Sequence, residues 1–291
     1  MNRDDLKTTA IGIGAGYAVK KGTETIICNN MVPYYRWLKD TNITDEEKKL
    51  LKGQLYDCFE KSGLKEKGVT LNHVDEKNLA KVQEMENKKI VDFVKSVYEG
   101  FTKKPMPDVE IPKSFTQTIN NEVEIASKGK NSFFNCMTKS IVLNTDKSAM
   151  SGFHELGHAD NFLSRGIPKI FSIVRSPAKQ MAPAVLAIGL LMPKKNKVDQ
   201  QDSSITKTAS FIKDNAGKLT LALFTPRIIE EGLASIKGYN YIKGKVPSTL
   251  LKKVGKSYAK NLSTYIVTAG VVALSTALAI NVKDRICEKK A

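Results

Sequence analysis

Two of the chain's three histidines stand four residues apart in the stretch SGFHELGHAD, residues 151–160, with a glutamate directly after the first. On an α-helix, residues i and i+4 lie one turn apart on the same face, so the imidazoles of His154 and His158 can converge on one metal ion. Glu155 points sideways toward the same cleft. There it can take a proton from a water activated by the ion and pass it to a leaving amine, the part a glutamate plays in His-Glu-x-x-His hydrolases. An accidental match in a chain of this composition is expected roughly once in a thousand such chains.

A catalytic zinc takes three protein ligands and keeps one position open. A third histidine six places after the second would fall at position 164, which is Ser164. The remaining histidine, His73, lies far upstream in the polar stretch LNHVDEKN and suits a surface. Asp160 is two residues past His158, off the ligand face of the same helix. No glutamate occurs between Glu155 and the pair Glu230 and Glu231, in PRIIEEGLASIKGYN, so these two are the acidic candidates.

The elements that must position these residues follow from patterning. Thr44 to Glu47 forms a capping box ahead of Leu50, Leu51, Leu55, Cys58 and Phe59 at helical spacing. A second helical run carries Ile90, Val91, Phe93, Val94 and Val97, and the prolines of KKPMPDVEIPKS then break the chain. FTQTI, EVEIA and NSFFNCMTKSIVLN, rich in β-branched and aromatic residues, predict strands. A helix from about Ser148 to Ser164 carries the histidines, stopped by Gly166 and Pro168. No internal repeat is visible.

HELGH followed by a second helix with Glu-x-x-Ala, beginning at Glu231, resembles the glutamate-ligand branch of the zincin metallopeptidases. The membrane CAAX-prenyl-protease and HtpX-like members are most similar, because hydrophobic segments separate their two motifs. Here QMAPAVLAIGLLMP (residues 180–193) and LTLALFTP (219–226) do so. The resemblance covers residues 130 to 240. It implies His154, His158 and Glu231 as ligands of a Zn2+ cofactor and Glu155 as general base. It also implies that the strand before the motif, with Ile141, Val142 and Leu143, is the edge to which a substrate peptide adds. The family's acidic residue four positions after the ligand glutamate is replaced here by Ser235. Tyr239 and Arg227, near Glu231 in sequence, are the candidates for stabilising the oxyanion.

The expected fold class is α+β: a mostly helical zincin-like core with a small antiparallel sheet and hydrophobic membrane-associated helices. Three segments are expected: a helical region over 1–110, a peptidase core over 111–245, and a C-terminal membrane helix with basic flanks over 246–291. Asn261 to Val282 runs 22 residues without a charge between lysine-rich flanks, the length a spanning helix needs. The apolar stretch AIGIGAGYAV near the start is too short to span and lacks the form of a secretory signal.

Forty-six basic against 30 acidic residues give a net charge of +16, which favours an anionic partner. With the lysines dispersed and no aromatic-interleaved basic patch, membrane lipid is the expected one and nucleic acid is not. Four cysteines without a Cys-x-x-Cys pair suit reduced thiols, and with the lysine excess they place the active site on the cytoplasmic side. The expected activity is a membrane-associated zinc metalloendopeptidase acting on peptide or protein substrates. The alternative is a non-catalytic, membrane-anchored scaffold on the same fold.

Overall fold

The computed structural model describes residues 43–107, 113–192 and 204–288. The stretch AIGIGAGYAV lies outside them. The chain divides into two compact units, one of Tyr34–Lys169 with Glu231–Lys260, the other of Met1–Pro33, Ile170–Glu230 and Asn261–Ala291. These units cut across the three segments expected from the sequence.

The first unit begins with α1 (Asp45–Lys61). Its capping box forms: the Thr44 hydroxyl accepts from the Glu47 amide at 3.2 Å, and the Glu47 carboxylate accepts from the Thr44 amide at 2.9 Å. Such a cap is worth about 1 kcal/mol. Leu51, Leu55, Cys58 and Phe59 form the buried face. Next come β1 (Thr70–His73), α2 (Leu79–Thr102) and α3 (Lys113–Ser127). The residues FTQTI and EVEIA, expected as strands, belong to α3. Buried Ile119, Val123 and Ala126 recur at helical spacing, and that periodicity outweighs the β-branched content. Of the apolar run in α2, Ile90 is buried while Val91, Phe93 and Val97 are exposed. Buried Glu86 fixes α2 to the sheet by accepting from the Thr138 hydroxyl at 2.8 Å and the Asn72 amide at 3.2 Å.

The strands expected in NSFFNCMTKSIVLN do form, as β2 (Ser132–Asn135) and β3 (Ser140–Leu143). The order is β1-β3-β2, with β3 parallel to β1 (Leu71 opposite Ile141) and antiparallel to β2 (Phe133 opposite Val142). The sheet is therefore mixed rather than antiparallel. β3 is also its central strand, so Ile141, Val142 and Leu143 are not a free edge. All four β3 residues are buried because both faces are covered: Ile141 and Leu143 join the core under α1, while Val142 joins the cluster of α2 and α3.

Helix α4 (Thr145–Leu163) leaves β3 through the Asn144 N-cap, whose side chain accepts from the Asp146 and Lys147 amides at 3.1 Å each. Gly166, at φ +76°, separates it from α5 (Ile167–Gln180), where Pro168 sits in the first turn. Two further helices contribute to this unit, α8 (Ala216–Ile242) through Glu231 onward and α9 (Ser248–Glu288) up to Lys260. α4 and α8 touch backbone to backbone. A Cβ on Gly157 would collide with the Ala234 carbonyl, and one on Gly238 would lie 2.7 Å from the Phe153 carbonyl oxygen.

The second unit holds most of α5, then α6 (Ala182–Leu191), α7 (Ser204–Asp214), α8 up to Glu230, and α9 from Asn261. Among the described residues one helix, over Ser248–Ile286 in α9, is long and apolar enough to cross a membrane.

Two glycines give opposite signs in denaturant unfolding. Gly157→Ala should destabilise by about 1–3 kcal/mol, because backbone rather than a flexible side chain must yield. Gly53→Ala, exposed within α1 and with open space around its added methyl, should stabilise by about 0.5–1 kcal/mol. Equal midpoints for Gly157→Ala and the wild type would show that α4 and α8 do not meet closely there.

Candidate metal centre

Helix α4 sets the His154 and His158 rings 4.5 Å apart between centroids and nearly perpendicular, at 85°. Helix α8 brings Glu231 to both: its Oε2 lies 3.2 Å from His154 Nε2 and 3.5 Å from His158 Nε2. All three residues are buried, and their ligand atoms lie within 4.8 Å of one another. Two imidazole nitrogens facing one carboxylate oxygen repel as lone pairs unless a proton or a cation lies between them. The spacing suits a cation, since four-coordinate bonds of 2.0–2.2 Å place neighbouring donors about 3.4 Å apart. The group can hold a metal ion.

Burial alone would raise the Glu231 pKa, but the charge of His158 and hydrogen bonds from both histidines outweigh it and hold the carboxyl well below the usual carboxylate range. The charge that does so is that of protonated imidazole, which a bound cation would replace.

The surroundings orient each part. Ser235, one turn after Glu231, sets its hydroxyl 3.2 Å from His154 Nδ1. Where the resembled family has an acidic residue, this chain has a hydroxyl that fixes the ring by a weaker bond. Tyr258 packs its ring 5.6 Å from that of His154 and donates its hydroxyl to the Met150 carbonyl at 2.7 Å. Glu155 is buried, and Oε1 accepts from the Ser132 hydroxyl at 2.9 Å. Ser132 is the β2 residue opposite Leu143, so the sheet register sets the position of that donor. Glu122, half-buried on α3, has its pKa raised by burial and by the charge of Glu155.

The other residues singled out from the sequence have partners of their own. Glu230 is fully buried beside Arg175, with the Ser172 hydroxyl at 3.4 Å, in the second unit. Asp160 pairs with Lys237 at 2.9 Å. His73 Nδ1 accepts from the Thr145 amide at 3.2 Å at the start of α4. Tyr239 packs its ring beside Gly255. Arg227 lies over the Tyr265 ring at 5.1 Å in the second unit.

Ser132, Glu122 and Tyr258 were not foreseen from the sequence. Ser132 and Glu122 lie in segments with no motif, and Tyr258 sits in the basic stretch KKVGKSYAK, which suggests only a membrane flank. Comparison with protein families, with curated proteins and with solved structures finds no match to this chain. Its site must be judged on its own chemistry.

Metal content by mass spectrometry, on protein purified without chelators, should give about one ion per chain by the ligand count of one site. Glu231→Gln should abolish it and Glu230→Gln should keep it. Ser235→Ala should weaken affinity by about tenfold, the low end for losing a partner of a ligand histidine. Equal metal in the Glu231 and wild-type proteins would place the ion elsewhere.

Proposed function

We propose that the protein is a membrane-associated zinc metalloendopeptidase. The observation that carries this reading is the buried His154, His158 and Glu231 group at ligand spacing, with Glu155 adjoining it and held by Ser132. Two imidazoles and a carboxylate suit zinc, and a neighbouring carboxylate base suits hydrolysis. Bound there, zinc would supply Lewis acidity and make water a competent nucleophile near neutral pH.

The chain's own residues supply the proton handling. The Ser132 hydroxyl holds Oε1 of Glu155, which fixes the plane of the carboxylate. Glu155 takes the proton of the attacking water and delivers it to the departing amine, with no covalent intermediate on the protein. Ser235 and Tyr258 keep the His154 ring in place. The substrate peptide adds to β2, which pairs on one side with β3 and carries Ser132 toward the base. This moves the docking role from Ile141, Val142 and Leu143 to the strand beside them.

The test is peptide-library hydrolysis by the zinc-loaded, detergent-purified protein, with Glu155→Gln beside it. The account predicts cleavage that falls about 10²–10⁴-fold in the variant while metal content stays unchanged. A variant that keeps the wild-type rate excludes Glu155 as base. Absence of cleavage with metal bound, together with a cellular effect retained in Glu155→Gln, would favour the non-catalytic scaffold.

A further inference from the structure

Cys58 lies in the last turn of α1, buried and not in a disulfide. A buried cysteine ordinarily packs as a small hydrophobe among carbon atoms. This sulfur also meets two polar groups. Its thiol donates to the Tyr241 carbonyl near the end of α8 at 3.1 Å, and it accepts from the Lys245 ammonium at 3.0 Å. Lys245 belongs to the turn between α8 and α9. There Gly244 takes φ +78° and the Lys245 amide donates to the Ile242 carbonyl at 3.0 Å, so the turn fixes where this side chain starts. Cys58, Tyr241 and Lys245 all belong to the first unit.

The cysteine is thus paired with a primary amine, a group that attacks oxidised sulfur once it has lost a proton. Lys245 is exposed although Cys58 is 1% exposed. Motion of one flexible side chain, rather than opening of the core, therefore gives a small oxidant its way to the sulfur.

We propose that Cys58 and Lys245 form a peroxide-responsive cross-link, a sulfenamide that joins Sγ to Nζ. The thiol releases its proton to water, and the thiolate attacks hydrogen peroxide. An S–O bond forms as the O–O bond breaks, and the leaving hydroxide takes a proton from the Lys245 ammonium to depart as water. The neutral amine then attacks the sulfur of the sulfenic acid. The S–N bond forms, the S–O bond breaks, and the second hydroxide leaves as water with a proton from the nitrogen. Sulfur gives up two electrons and one peroxide becomes two waters. The four-carbon stem of the lysine supplies the movement from 3.0 Å to bond length. The product ties the last turn of α1 to the turn that follows the helix supplying Glu231. The inference does not depend on the peptidase reading, since it uses none of the residues of the metal centre.

The test treats the full chain, purified in detergent, with stoichiometric hydrogen peroxide and maps its peptides by mass spectrometry. The expected product joins the Cys58 peptide to the Lys245 peptide, lighter by two hydrogens than the separate pair, and dithiothreitol should restore both. The cross-link should raise Tm by about 5–10 °C, the scale of closing a long loop, and the thiol should reverse that rise. Lys245→Arg keeps the positive charge and removes the nucleophile, so Cys58 should stop at the sulfenic acid and be trapped by dimedone several-fold more than in the wild type. Cys58 left reduced, Cys58 as sulfinic acid beside unmodified Lys245, a disulfide from Cys58 to another cysteine, or equal trapping in the two proteins would each overturn the proposal. The wild-type peptide map needs no variant, so the test stands even where Lys245→Arg fails to fold.

Discussion

One carboxylate oxygen facing two imidazole nitrogens, all buried, is the constraint on which the metal centre depends. Without a proton or cation between them, these groups repel, and burial removes the water that would screen them. Helices α4 and α8 must therefore meet closely enough for a proton or a cation to be shared among these groups. They come close enough only because Gly157 and Gly238 let each backbone lie against the other. The Asn144 cap and the buried β3 strand fix where α4 begins, and so which face the histidines share.

The parts of the site legible in the sequence were those whose chemistry repeats along a single element. His154, Glu155 and His158 stand at helical spacing, and their shared face follows from the geometry of one turn. Glu231 required the resemblance of its helix to a known pattern, because nothing local distinguishes it from Glu230. In the structure adjacent positions on α8 point these two carboxylates to different partners, Glu231 to the histidines and Glu230 to Arg175. Ser132 and Tyr258 lie far from the motif in sequence and meet it only through the sheet register and the docking of α9.

The same limit explains the errors in the fold. FTQTI and EVEIA have the composition of strands, yet Ile119, Val123 and Ala126 have helical spacing, and the apolar face they form packs under α2. SIVLN was expected to be an edge because it precedes the motif. Its uninterrupted apolar run instead reflects a strand covered on both faces, and its parallel partner β1 lies some 70 residues away in the sequence. Pairing across such a separation leaves no signal in either strand alone.

The most direct measurement of the central claim is X-ray absorption at the zinc edge on the purified protein. The account predicts a four-coordinate ion with two imidazole scatterers and oxygen at about 2.0–2.2 Å and no sulfur shell. A sulfur distance near 2.3 Å would place the ion on cysteine instead, and absence of zinc with six-coordinate iron would assign the same ligands to a different chemistry.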